Sequence, residues 1–310
     1  MHPWNEPLLD SVRKRMARLP HALLIHGVRG VGKLALAERI AQILLCEQEN
    51  KPCGTCAGCR WYLAGTHPDF RRIEPEALAK EPPPSDEPIE EAAPAKRGKP
   101  SIEIKVDQIR GLEDFLNVGS HRGRLRVALV HPAENMNEVS ANALLKGLEE
   151  PPAGAIFLLV SHRPAQLLPT IRSRCVGLPV ALPSQEVAQR WLEAQKVENA
   201  ARWLAYAGGA PLRALEYAAQ GQVALAPTDA REALEPLADA LQKIALDRAL
   251  AGFGLPPKYQ AGGAKVSREK VRDWLTFARR MGEDRLLCRH PLNPRLFSSA
   301  MLAAMPRDEP

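Results

Sequence analysis

Aromatic residues are scarce in this 310-residue chain, at 5% of the total, so any core must be built mostly from aliphatic side chains. No stretch approaches the roughly 18 consecutive apolar residues that a spanning helix needs, which excludes a helical membrane anchor in the sequence given. The first twenty residues lack the apolar centre of a secretory signal, because Glu6, Asp10, Arg13, Lys14, Arg15 and Arg18 interrupt them. A large excess of one charge sign is also lacking: 42 basic residues against 36 acidic ones give a formal net charge of +6, compatible with an acidic partner but not demanding one. A cytoplasmic protein is the expectation, and in a reducing compartment its six cysteines are expected to be metal ligands or buried thiols rather than disulfides.

What is present is an ordinary globular balance, 45% hydrophobic and 25% charged, over a length that implies two or three domains. Leu8, Leu9, Val12, Met16 and Leu19 share one helical face. Ala22-Leu23-Leu24-Ile25-His26 then reads as a short buried strand, a glycine-rich turn follows, and helical spacing resumes over 33–45. Strand, turn and helix in this order open a parallel α/β domain. Leu125–Val130 and Ala155–Val160 are two further buried strands. Between them a helix over 139–149 is stopped by Pro151-Pro152, and another helix is expected over 105–118. Strand patterns vanish after Pro183. The expected division is an α/β domain over 1–180, a small helical domain over 181–222 and a helical domain over 223–310. Residues 74–100 carry seven prolines and seven acids, too little apolar surface to offset chain entropy, and are expected to be a disordered surface insert.

Gly27-Val28-Arg29-Gly30-Val31-Gly32-Lys33-Leu34 matches the phosphate-loop pattern at all but its last position. Gly27, Gly30 and Gly32 would let the backbone N–H groups wrap an anion at a helix N-terminus, and Lys33 would meet the outer phosphates. Leu34 stands where a hydroxyl would hold Mg²⁺ and offers no ligand atom. The second acidic site fails as well. In this hydrolase class an apolar strand ends in Asp-Glu, supporting the metal and activating water, whereas Val127–Val130 here ends in His131-Pro132. Mg²⁺ favours oxygen over imidazole, and proline cannot act as a base. Glu134 is a nearby carboxylate two positions past the expected one. These losses predict no Mg²⁺-dependent hydrolysis. They bear less on nucleotide binding.

Cys46, Cys53, Cys56 and Cys59 follow a C-x6-C-x2-C-x2-C spacing, which suits a closed, structural, tetrahedral Zn²⁺ site over 46–59. Cys175 and Cys288 are isolated and read as packing residues.

Together these motifs resemble the delta-prime family of clamp-loader subunits of bacterial DNA polymerase III, within the AAA+ class. The resemblance rests on Trp4, His21–Ile25, the phosphate loop, the four cysteines and Ala64-Gly65-Thr66-His67-Pro68-Asp69. It continues through Asn142–Lys146 with Leu148-Glu149-Glu150-Pro151-Pro152, and Leu168–Cys175. It covers most of the first 215 residues. The hydrolysing gamma and tau relatives share several of these blocks but keep the Thr and Asp-Glu that are missing here.

The resemblance implies a RecA-like α/β domain with a zinc module, a helical lid and an all-α collar. It implies a subunit of the polymerase holoenzyme with no ATPase of its own, joined with gamma/tau and delta subunits in a hetero-pentamer. That assembly would load a sliding clamp on primed DNA, in a replisome-associated location. Arg174, in Ser173-Arg174-Cys175, would be an arginine finger in trans, and Arg213 a second-sensor arginine, vestigial if no nucleotide binds. Ser161 sits near the first-sensor position, and His121–Arg124 and Arg268, Lys270 and Arg272 are candidate DNA contacts. Two other readings stay open: an active gamma/tau-like ATPase, which turnover by the purified chain would reveal, and a zinc-dependent nucleic-acid-binding module, which steeply salt-dependent DNA binding would reveal.

Overall fold

The computed structural model describes residues 1–79, 100–117, 125–221, 223–261, 266–288, 290 and 292–306. Most of the acidic insert and all of His121–Arg124 lie outside the described residues. The chain divides into two compact units, 1–181 and 182–310.

The first unit is a five-stranded parallel sheet. Its strands are β1 (Ala22–His26), β2 (Phe70–Ile73), β3 (Arg126–Val130), β4 (Ala155–Ser161) and β5 (Val176–Pro179), in the spatial order β2-β3-β4-β1-β5. β3 and β4 are buried along their whole length, which is why they read as unbroken apolar runs. Successive side chains leave a strand on opposite faces, and the core splits accordingly. Leu23, Ile25, Val127, Leu129, Leu158 and Val160 pack on one side with α1 (Glu6–Lys14) and α2 (Lys33–Leu45). Leu24, Ala128, Val130, Phe157 and Leu159 pack on the other side with α4 (Val106–Asn117), α5 (Glu138–Glu149) and α6 (Pro169–Arg174). A short α3 (Ala57–Leu63) follows the cysteine segment. α5 is started by Asn137, whose side chain accepts from the Ser140 N–H at 2.9 Å, and it ends ahead of Pro151-Pro152.

The second unit is entirely helical among its described residues. Helices α7 (Gln185–Ala194), α8 (Ala200–Tyr206) and α9 (Pro211–Gln220) close around Ala188, Leu192, Leu204 and Ala214. Helices α10 (Leu234–Gly252), α11 (Val271–Leu287) and α12 (Pro294–Ala303) share a second core around Leu237, Leu241, Trp274, Phe277, Met281 and Met301. The Leu234, Leu237, Leu241 and Ile244 stripe of α10 is buried within this unit. Asp247, 1% exposed, accepts the backbone N–H groups of Tyr259 and Ala261, both at 2.8 Å, and so pins the loop after α10. No helix among the described residues is long and apolar enough to cross a membrane.

Candidate nucleotide pocket and metal centre

The phosphate loop and the His131 and His162 segments follow the C-terminal ends of three adjacent strands, β1, β3 and β4, where parallel α/β sheets place their ligands. Gly27, Gly30 and Gly32 all adopt positive φ, at 151°, 89° and 81°. Two of them also have no room for a side chain. A Cβ on Gly27 would lie 2.4 Å from the Val180 carbonyl oxygen, and one on Gly32 would lie 2.3 Å from His2 Cδ2. The first residues of the chain brace the loop. The Asn5 amide, itself buried, donates to the Val31 carbonyl at 2.9 Å and the Trp4 indole donates to the same oxygen at 3.0 Å.

Lys33 is 2% exposed, and its ammonium donates to the carbonyls of Gly27 at 2.7 Å and Val28 at 2.6 Å. The cation that would meet a phosphate is thus hydrogen-bonded to the loop that carries it. Burial pushes its pKa down to about 8; Glu134 works against that shift and Arg29 adds to it. Leu34 packs, partly buried, against the core of this face.

His131 stands beside His162, ring centroids 5.4 Å apart, just past the ends of the neighbouring strands β3 and β4. Burial, with Arg72, Lys33 and Arg29 nearby, lowers His131 to about 4, and burial with Lys33 nearby lowers His162 further still. Both are therefore neutral imidazoles at neutral pH, poor company for a hard cation. Glu134 accepts the His162 backbone N–H at 2.9 Å through Oε1, while its buried Oε2 has no hydrogen-bond partner. Ser161 is fully buried and accepts the Arg163 N–H at 3.1 Å, the local bond expected of a serine at a strand end.

The cysteines come together at the other end of α2. Cys46 follows its last residue, Cys56 caps α3, and all four Sγ atoms lie within 4.8 Å of one another. Cys46 and Cys56 sulfurs are 3.9 Å apart, and those of Cys53 and Cys59 are 4.0 Å apart. Zn–S bonds of about 2.3 Å at tetrahedral angles place sulfurs roughly 3.8 Å apart, so the donor set and its spacing fit that ion. Backbone N–H groups of Cys56 and Thr55 point at Cys53 Sγ, at 3.3 and 3.4 Å, and pull its pKa down to about 6; burial pushes Cys59 up to about 12. Gly58 is needed here, since a Cβ would meet the Leu45 carbonyl oxygen at 2.5 Å. Cys175 and Cys288 pack into apolar cores.

Arg174 ends α6 with its side chain 34% exposed, paired to Glu149 at 2.6 Å. Arg213 lies in the helical unit and is engaged there. Its guanidinium donates to Tyr217 Oη at 2.9 Å and to Asp239 at 3.3 Å, and Asp239 also takes Lys243 at 2.7 Å and Arg285 at 2.9 Å. Arg268 and Arg272 line an open cleft on the α11 surface with Phe253 and Leu275. The sequence reading missed the Trp4 and Asn5 brace and the Asp239 hub. Tyr217, four residues after Arg213 on one helix face, is the one local signal of the latter.

A parallel α/β domain with a glycine-rich turn between its first strand and the helix that follows has the architecture of a phosphate-loop protein, here with Leu34 at the last position of the loop. A family profile described as "DNA polymerase III, delta subunit" matches residues 8–183. The subunit delta' of DNA polymerase III from Pseudomonas aeruginosa is 39% identical over 227 residues, covering 71% of this chain and 62% of that protein. The Escherichia coli subunit delta' is 35% identical over 195 residues, covering 62% of this chain and 52% of that one. DNA polymerase III subunit tau of Salmonella typhimurium is 34% identical over 180 residues, covering 57% of this chain and 24% of tau. The chain belongs to the delta-prime family of DNA polymerase III subunits. It spans between half and two thirds of the length of the delta-prime relatives named here.

Proposed function

We propose that this chain acts as a delta-prime clamp-loader subunit that hydrolyses no ATP itself and assists hydrolysis by a neighbour. The observation that carries the reading is the state of the nucleotide pocket. The cradle of Gly27, Gly30 and Gly32 is intact, yet Leu34, His131 and Pro132 stand where magnesium and water need oxygen ligands, and Lys33 is bonded to its own loop. Phosphoryl transfer is catalysed almost entirely by positioning and by charge placed on the transferring group, so a site without its metal ligands loses its main counter-ion.

The subunit's contribution is then the surface it offers. Arg174, at the exposed end of α6, enters the ATP site of an adjacent gamma or tau subunit, where a fixed guanidinium stabilises charge on the phosphoryl oxygens. Residues 181–222 serve as the lid and 223–310 as the collar that joins gamma/tau and delta partners in a hetero-pentamer, which loads a sliding clamp on primed DNA. Arg213 braces lid against collar through Asp239 in place of sensing nucleotide. Cys46, Cys53, Cys56 and Cys59 hold a structural Zn²⁺ that would order the segment between α2 and α3.

The test is reconstitution. The purified chain should show no Mg²⁺-dependent ATP turnover, and mixing with gamma/tau and delta subunits should give a complex with ATPase. Arg174→Ala should leave assembly intact and depress that ATPase, within the roughly 10³–10⁵-fold range known for arginine fingers. Robust turnover by the chain alone would overturn the reading.

A further inference from the structure

Arg174 does not reach freely into solvent. Its Nη2 lies 2.6 Å from Glu149 Oε1, and its Nη1 donates to the Thr170 carbonyl at 3.0 Å and to Ser173 Oγ at 3.3 Å. Both ends of the guanidinium fork are taken by the same chain. Thr170 and Ser173 sit on α6 itself, whereas Glu149 reaches across from the last turn of α5. An acid at a helix C-terminus is disfavoured by the helix dipole, so Glu149 gains from a cation there. Glu150, the next residue, makes no side-chain bond among the described residues, so the pairing is particular to Glu149. The two side chains are 34% and 49% exposed, and a pair that open to solvent is weak enough to be exchanged for a more highly charged anion.

We infer that Glu149 is a positioning residue: its carboxylate occupies the arm of Arg174 that a phosphoryl oxygen in an adjoining subunit would take, and holds the guanidinium retracted until such an anion displaces it. The inference rests on the reading of Arg174 as a group acting in trans, and adds to it a competitor within the same chain. Holding the guanidinium back in the free subunit opposes its entry into the neighbour's site, so removing the charge of Glu149 should favour entry.

The experiment measures ATP turnover of the complex reconstituted from the full chain with gamma/tau and delta subunits, across ATP concentration and at two salt concentrations. Glu149→Gln keeps the shape and removes the charge. It should raise kcat/KM by about two- to fivefold at low salt, the span an exposed ion pair supports, and by less at high salt, where the pair is already screened. Glu150→Gln should change nothing. The gain should vanish when Arg174→Ala is added, because Glu149 acts only through Arg174. If Arg174→Ala depresses turnover while Glu149→Gln leaves it unchanged or lowers it, the retraction by Glu149 is wrong and the trans role of Arg174 stands. If Arg174→Ala leaves turnover at the wild-type level, both fall. In the free chain, nitrogen NMR of the Arg174 guanidinium should report restricted rotation that Glu149→Gln releases. Free rotation in the wild-type chain would overturn the inference whatever the ATPase shows.

Discussion

Helix α2 carries a candidate site at each end, and the two ends solve opposite problems. At its N-terminus the phosphate loop satisfies itself: Lys33 donates to the Gly27 and Val28 carbonyls, and Asn5 and Trp4 cover the Val31 carbonyl. At its C-terminus four sulfurs crowd within 4.8 Å, with short turns around them and little apolar core of their own. A site that its own chain fills can lose its ligand chemistry and keep its shape. The thiols of Cys46, Cys53 and Cys56 take only weak hydrogen bonds from neighbouring backbone N–H groups, at 3.3 to 3.5 Å. The contrast sets a loop bonded within its own chain against a cluster of four thiols that could hold a metal.

The largest expected effect breaks the C-terminal end alone. Elemental analysis should find one zinc per chain, and binding at such a site is worth about 10–16 kcal/mol of apparent free energy. Strong chelation, or Cys59→Ser, should remove the metal and strip hydrogen-exchange protection from residues 46–59, while the phosphate loop, braced by Asn5 and Trp4, keeps its own. Full protection of 46–59 in metal-free protein would erase the contrast.

The next effect extends the contrast to the helical unit, which also holds a buried lysine. Lys243 sits 2.7 Å from Asp239, and Arg213 and Arg285 share the same carboxylate. Here the cation is met by a formal charge, where Lys33 has neutral carbonyls. Asp239→Ala would leave three cations facing each other in a buried position and should destabilise the fold by about 3–5 kcal/mol, read from chemical unfolding. A loss below about 1 kcal/mol would mean that water already screens the cluster.

Lys33→Met should be far milder, within about 1 kcal/mol of wild type near neutral pH, because an apolar stem of similar length replaces a buried charge. Its signature lies in the pH dependence. Lys33 and Lys243 are both lowered to about 8 in the folded chain, against about 10.4 when unfolded. Between those values the unfolded chain binds more protons, so the contribution of each lysine to stability rises as pH climbs from about 8 to about 10.4. Below pH 8 both states are protonated and the contribution is flat. Lys33→Met should remove one share of that alkaline rise and Lys243→Met the other. An identical profile in wild type and Lys33→Met would show that Lys33 is better solvated than its burial implies.

Much of this architecture was legible from residue order. β1, β3 and β4 announced themselves as apolar runs because both faces of each are buried. β2 and β5 did not. They are edge strands of four residues, Phe-Arg-Arg-Ile and Val-Gly-Leu-Pro, where one side is open to solvent and no long apolar run is required. The cysteine cluster was legible because metal chemistry dictates spacing over a few residues. The phosphate loop was legible as a motif, while the retraction of Lys33 was not, since its acceptors are backbone carbonyls that any sequence would supply. The partners of Arg174 and Arg213 were hidden for a different reason. Glu149 is 25 positions before Arg174 and Asp239 is 26 after Arg213, so only the packing of helices brings them together.

The smallest expected effect sharpens the comparison most. Leu34→Thr restores the hydroxyl that the loop lacks, at the first turn of α2. If the pocket were one substitution from activity, this change alone would bring back Mg²⁺-dependent turnover. The geometry argues otherwise. His131 is held neutral at the strand end where a carboxylate would support the metal, Pro132 offers no base, and Glu134 is committed through one oxygen to the His162 N–H. A lone hydroxyl gives Mg²⁺ one protein ligand beside Lys33, whose charge repels it. Leu34→Thr should therefore show no ATP turnover above wild type, and should cost about 1 kcal/mol of stability because a partly buried leucine leaves the core. Turnover gained from that single oxygen would mean that Glu134 can swing to serve as the base. The pocket would then count as dormant chemistry, and the two ends of α2 would differ less than their present bonding implies.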